Sequence, residues 1–148
     1  MSFTKRFKNF TLEELIASPT ALTMGIDNLP DFEEVAHLEE LVATILQPLR
    51  TALGYALIVT SGYRCKALNK AVGGVSDSAH LYGYAADIQI KDMTRFPIFL
   101  IEAENWLKEH SIAFDQSIVE QSKYARWWHI AVKDKDGNQR RQFLSLNV

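Results

Sequence analysis

The chain has 148 residues, 47% of them hydrophobic and 23% charged, which is near the average for a globular domain and too short to suggest two. One core is expected: a domain of this size buries roughly 68–70% of the surface its unfolded chain exposes and needs no disulfides, in agreement with the single cysteine, Cys65. A formal charge of -2 gives no general attraction to nucleic acid or to an anionic membrane.

The N-terminal stretch MSFTKRFKNFTLEEL places its phenylalanines among charged and polar residues and lacks the apolar core of a secretory signal. No run approaches the ~18 apolar residues needed to span a bilayer. Synthesis in the cytoplasm is therefore expected, with later release by lysis or by another export route left open. A monomer is expected.

In chain order, Thr11 with Glu14 forms a capping-box pattern that predicts a short helix over 12–17, ending before Ser18 and Pro19. ALTMGIDNLP reads as loop. Asp31 with Glu34 is a second capping signal, and Val35, Leu38, Leu41, Val42, Ile45 and Leu49 recur at helical spacing behind it. ALIVTS predicts a strand entering a turn at Gly62, CKALNKAV one or two helical turns, and 73–78 a loop rich in Gly and Ser.

AADIQI alternates as a strand does, and Thr94 and Pro97 fit the start of a helix carrying Phe99, Leu100, Ala103 and Leu107. FDQSIVE and WWHIAVK, separated by QSKYAR, predict a hairpin. KDKDGNQ reads as a turn, since DKDG lacks the remaining ligands of a calcium loop. RQFLSL is open between an edge strand and a packed tail. The class is α+β, with a mainly antiparallel sheet flanked by helices in a single domain over 1–148.

Chemistry concentrates in SDSAHLYGYAADI, where His80 and Asp87 stand seven residues apart around Gly83. Imidazole nitrogen and carboxylate oxygen bind zinc at about 2.0–2.2 Å, and a catalytic zinc usually has three protein ligands. Of the other histidines, His37 falls on the long helix and His110 at a helix end. His129, in a strand between aromatic and apolar residues, is the best third candidate. A lone strand histidine is nevertheless more often a packed residue than a ligand, and spacing alone leaves the metal open.

Ser78, His80, Gly83, Ala85 and Asp87 spell S-x-H-x-x-G-x-A-x-D, which resembles the signature of the D-alanyl-D-alanine carboxypeptidase-like zinc peptidases. These include cell-wall carboxypeptidases, vancomycin-resistance D,D-dipeptidases and phage endolysins. The similarity extends to SGYR at 61–64, LNKAVGG at 68–74, FDQ at 114–116 and WWHI at 127–130.

The resemblance implies a hedgehog/DD-peptidase-like fold, Zn2+ held by His80, Asp87 and His129, and a peptidoglycan peptide as substrate. It implies that Arg64 lies near the substrate carbonyl or terminal carboxylate, as a guanidinium can hold a carboxylate or an oxyanion. Ser78 is expected to orient a ligand or the loop, and Gly83 to permit a tight backbone path.

One position departs from the pattern. The dipeptidase branch places a glutamate base three residues before the last histidine, where this chain has Arg126. Glu120 is the substitute, because a hairpin closed through 122–126 would set it nearly opposite His129 on the same face, whereas Asp115 has the other parity. A one-residue slip would reverse this. Tyr124, Trp127 and Trp128 could wall a peptide groove or simply pack, and Cys65 is expected to be a buried thiol. Two functions follow: a zinc peptidase using Glu120 and Arg64, or a binding domain of the same fold without catalysis.

Overall fold

The computed structural model describes residues 3–148, so Met1 and Ser2 of the stretch read for a secretory signal lie outside the described residues. α1 (Phe3–Arg6) precedes α2 (Leu12–Ile16), where Thr11 and Glu14 form the anticipated capping box. The segment read as loop opens instead with a helix, α3 (Pro19–Met24). Ser18 caps it by accepting from the Ala21 N–H, Pro19 supplies a helical φ in the first turn, and Gly25 ends it at φ 66°.

The long helix starts at Asp31 with a second capping box and runs as α4 (Phe32–Leu41), a π turn (Val42–Leu46) and α5 (Gln47–Leu53). The wide turn lies just before Pro48. Proline has no N–H and its ring would meet the carbonyl four residues back, so the helix widens there, with the Gln47 N–H bonding the Val42 carbonyl.

β1 (Leu57–Ser61), α6 (Lys66–Ala71) and β2 (Ala85–Ile90) follow, and α7 (Phe96–Glu109) comes after a 3-10 turn capped by Asp92. β3 (Gln116–Gln121) and β4 (Arg126–Ala131) form the hairpin, and β5 (Gln142–Asn147) resolves the open end of the sequence as an edge strand. Asp134 closes the intervening turn by accepting from the N–H groups of Asp136 and Asn138.

The five strands form one sheet in the order β1-β2-β4-β3-β5, antiparallel throughout except for β3 and β5. The fold is therefore mixed α and β, as expected. Alternation assigns the faces: Ile88, Ile90, Trp128 and Ile130 enter the core, with Trp128 edge-on to Phe99 of α7 at 5.7 Å. Asp87, Gln89, Trp127, His129 and Glu120 take the opposite face.

The hairpin register differs from the expected one. Ile118, not Glu120, stands opposite His129, and Glu120 pairs with Trp127. The turn is tighter than anticipated, since the Ser122 N–H bonds the Ala125 carbonyl at 2.8 Å and Ser122 Oγ accepts from the N–H of Ala125. The shift is by two residues, so Glu120 keeps the face of His129 and moves to a diagonal position.

Candidate metal centre

β2 and β4 are neighbours, and their register sets Asp87 directly opposite His129. His80 arrives from the 3-10 turn Ala79–Tyr82, capped by Ser78, whose Oγ accepts from the His80 N–H at 3.2 Å. Gly83 ends that turn at φ 77°, and a Cβ there would lie 2.5 Å from the Glu34 carbonyl oxygen, so this close passage over α4 requires glycine. His80, Asp87 and His129 are all buried, and their ligand atoms lie within 4.8 Å of one another.

Asp87 Oδ1 is 3.2 Å from His80 Nε2 and 3.0 Å from His129 Nδ1. These separations approach the edge of about 3.3–3.6 Å expected for a tetrahedron with bonds of about 2.0–2.2 Å. The donor chemistry also fits a cation. His80 Nδ1–H donates to the Gly62 carbonyl at 2.7 Å, which leaves Nε2 of the neutral ring as a lone pair. That lone pair faces a carboxylate oxygen that can likewise only accept. Two such acceptors repel unless a proton or a cation lies between them.

Burial disfavours the proton, lowering the His80 pKa against the opposing attraction of Asp87. For Asp87, burial would raise the carboxyl, but the polar groups around it outweigh that and hold it well below the usual carboxylate range, so it stays ionised. An ionised carboxylate and two imidazoles thus converge in a buried setting, where a metal ion would satisfy them.

Arg64 does not stand apart from this cluster. Its Nη2 donates to Asp87 Oδ2 at 3.3 Å, its Nε to Ser61 Oγ at 3.0 Å and its Nη1 to Asn69 Oδ1 at 3.1 Å. Burial lowers its pKa, while Asp87 and Glu120 pull it back up. A guanidinium remains charged in such a setting.

Glu120 reaches the centre along the diagonal, with Oε1 at 3.7 Å from His129 Nδ1. Arg126, in the place of the expected base, turns away: its guanidinium lies over Phe96 and donates to the Met93 carbonyl. Asp115 is committed elsewhere, gripped by Nε and Nη2 of Arg140 at 2.8 Å each. The remaining histidines are occupied in the backbone: His37 Nδ1–H donates to the Tyr82 carbonyl with its ring stacked on Tyr84, and His110 Nδ1–H donates to the Trp106 carbonyl.

Two supporting residues had no reading of their own in the sequence, and a third, Trp127, was read only as a groove wall or a packing residue. Asn69 orients Arg64 while its Nδ2 donates to the Val75 carbonyl. Buried Asn28 donates to the carbonyls of Ile16 and Tyr63 and accepts from the Cys65 N–H, clamping the turn that carries Arg64. Trp127 donates its indole N–H to Glu120 Oε1 at 3.2 Å. A short polar residue in a loop carries no sign of its partner, so nothing in the sequence singled out the two asparagines.

No curated protein matches the chain. The family model described as Peptidase M15 matches residues 8–130, which hold His80, Asp87, Glu120 and His129 and end one residue beyond the last histidine. The match covers most of the sequence, and the chain belongs to the peptidase M15 family.

Proposed function

We propose that the protein is a zinc-dependent peptidase that hydrolyses an amide bond in peptidoglycan peptides, with His80, Asp87 and His129 as metal ligands and Glu120 as general base. The observation that carries this reading is the Glu120 carboxylate, 3.7 Å from His129 Nδ1, at the side of a buried His–Asp–His cluster. A zinc ion held there would supply Lewis acidity, polarising the scissile carbonyl and making water easier to deprotonate.

The remaining chemistry belongs to the side chains. Glu120 takes a proton from the attacking water as the oxygen bonds to the carbonyl carbon. It then returns that proton to the amine nitrogen as the C–N bond breaks, leaving a carboxylic acid and an amine, which exchange the remaining proton to become a carboxylate and an ammonium. Arg64 spends three of its five N–H groups on Ser61, Asn69 and Asp87, and the rest are assigned to a substrate carboxylate or developing oxyanion. The working unit includes β5, beyond the matched span, because β5 is hydrogen-bonded to the strand that carries Glu120.

The test combines metal analysis with digestion of purified peptidoglycan and mass analysis of the fragments. About one zinc per chain and release of peptide fragments are expected, the fragment masses naming the bond cut. Glu120→Gln should keep the metal and lose hydrolysis by at least about 100-fold, the scale of a positioned acid–base group. Zinc binding without any hydrolysis by the unaltered protein would favour the non-catalytic binding domain that Arg126 at the usual base position suggests.

A further inference from the structure

Glu120 is held in place by one side chain, and that side chain is not a metal ligand. Trp127 stands directly opposite Glu120 across the hairpin, on the same face of the sheet, and its Nε1–H donates to Glu120 Oε1 at 3.2 Å. The same oxygen lies 3.7 Å from His129 Nδ1. Trp127 and His129 are two residues apart on β4, so a single strand fixes both the metal ligand and the donor that aims the carboxylate toward it.

The bond matters because of the register. A glutamate directly opposite His129 would have its Cβ about 5 Å from that of the histidine, whereas a diagonal neighbour starts about 7–8 Å away. Glu120 must therefore extend across the sheet, and an extended glutamate has three rotatable bonds to restrain. A donor at the end of the reach restrains them without changing the charge of the carboxylate. An oxygen has two acceptor positions, so Oε1 can take the indole N–H and still face the centre, while Oε2 has no partner among the described residues. Indole is suited to this task, being a donor only, rigid, and unable to take the proton that the base must carry.

We propose that Trp127 is a positioning residue: its indole N–H holds the Glu120 carboxylate in reach of the metal centre from a diagonal strand position. This rests on the reading of Glu120 as the base. It predicts that the indole N–H contributes to turnover rather than to binding, and only when Glu120 is present.

The test uses the full chain loaded with zinc, acting on soluble peptidoglycan fragments, with Trp127→Phe and with 3-benzothienylalanine at position 127. The latter keeps the bicyclic shape and replaces N–H by sulfur, so it remains informative if the phenylalanine variant folds poorly. Both are expected to lower kcat about tenfold with KM and zinc content unchanged, and Trp127→His, which restores a ring N–H, should recover part of the loss. In a Glu120→Ala background, where the residual rate is measured at high enzyme concentration, the benzothienyl replacement should have no further effect. Unaltered kcat in the benzothienyl protein, or an equal loss with and without Glu120, would overturn the role of Trp127. Full activity of Glu120→Gln would instead overturn the base on which it rests.

Discussion

Asp87 divides its two oxygens between two tasks. Oδ1 faces both histidines, and Oδ2 receives the guanidinium of Arg64, so the carboxylate presents one oxygen to the centre in a fixed plane. Partners of this kind typically account for 10–100-fold in metal affinity. Arg64→Ala should therefore weaken zinc binding by about 10–100-fold in competition with a chromophoric chelator, as well as lowering activity. Unchanged zinc affinity would confine Arg64 to the substrate.

Gly83 makes a different kind of demand. Its φ of 77° disfavours any Cβ by about 1–2 kcal/mol, and the Glu34 carbonyl blocks the space a Cβ would fill. Gly83→Ala should cost at least about 2 kcal/mol in urea unfolding and should loosen the metal along with it, since the same turn delivers His80.

Among the elements, the β3–β4 hairpin decides whether the proposed base, Glu120, reaches the site. Its turn is closed within 122–125, and the resulting pairing of Gln121 with Arg126 sends Glu120 to the site face. A shift by one residue would send it into the core in place of Ser117 and Val119. β5 supports this strand from the other side, and its entry is tied down by Arg140. Asp115 is almost fully buried, its side chain 2% exposed, whereas that of Arg140 is 45% exposed. Removing the arginine would leave a buried carboxylate with only the backbone N–H of residue 140. Arg140→Ala is expected to destabilise by about 1–3 kcal/mol in urea unfolding, with Arg140→Lys recovering only part because it cannot bind with two parallel bonds.

For the whole molecule, stability is expected to depend on pH and on metal. Burial and the nearby Glu34 carboxylate hold the Tyr63 hydroxyl above its ordinary value, and burial does the same for Tyr84. Both values are raised in the folded state, so the unfolded chain releases these protons first as pH rises through about 10. Their contribution is complete below that pH and is lost progressively above it. Urea midpoints should hold from pH 8 to 9 and fall from pH 10 to 11; a flat profile would show that these hydroxyls ionise freely in the folded protein. Free zinc at 100 times its dissociation constant should add about 2.7 kcal/mol to unfolding, and a chelator should remove it.

The local signals in the chain were sufficient for most of its helices and for part of the site. Capping boxes at Thr11 and Asp31 act within a single turn, and the Ser18–Pro19 start of α3 is a signal of the same kind that the loop reading passed over. His80 and Asp87 stand within one short segment, and the side-chain period of a strand put Glu120 on the face of His129 whatever even shift the turn imposed. Partner and register were decided elsewhere. Asp87 meets His129 because β2 and β4 are neighbours, although 42 residues separate them. The diagonal reach of Glu120, the indole that holds it and the grip of Arg64 on Asp87 depend likewise on which strands bury their apolar faces together. Propensity and capping are settled by neighbours in sequence, whereas strand order and register are settled by the burial of a common core, which no single segment encodes.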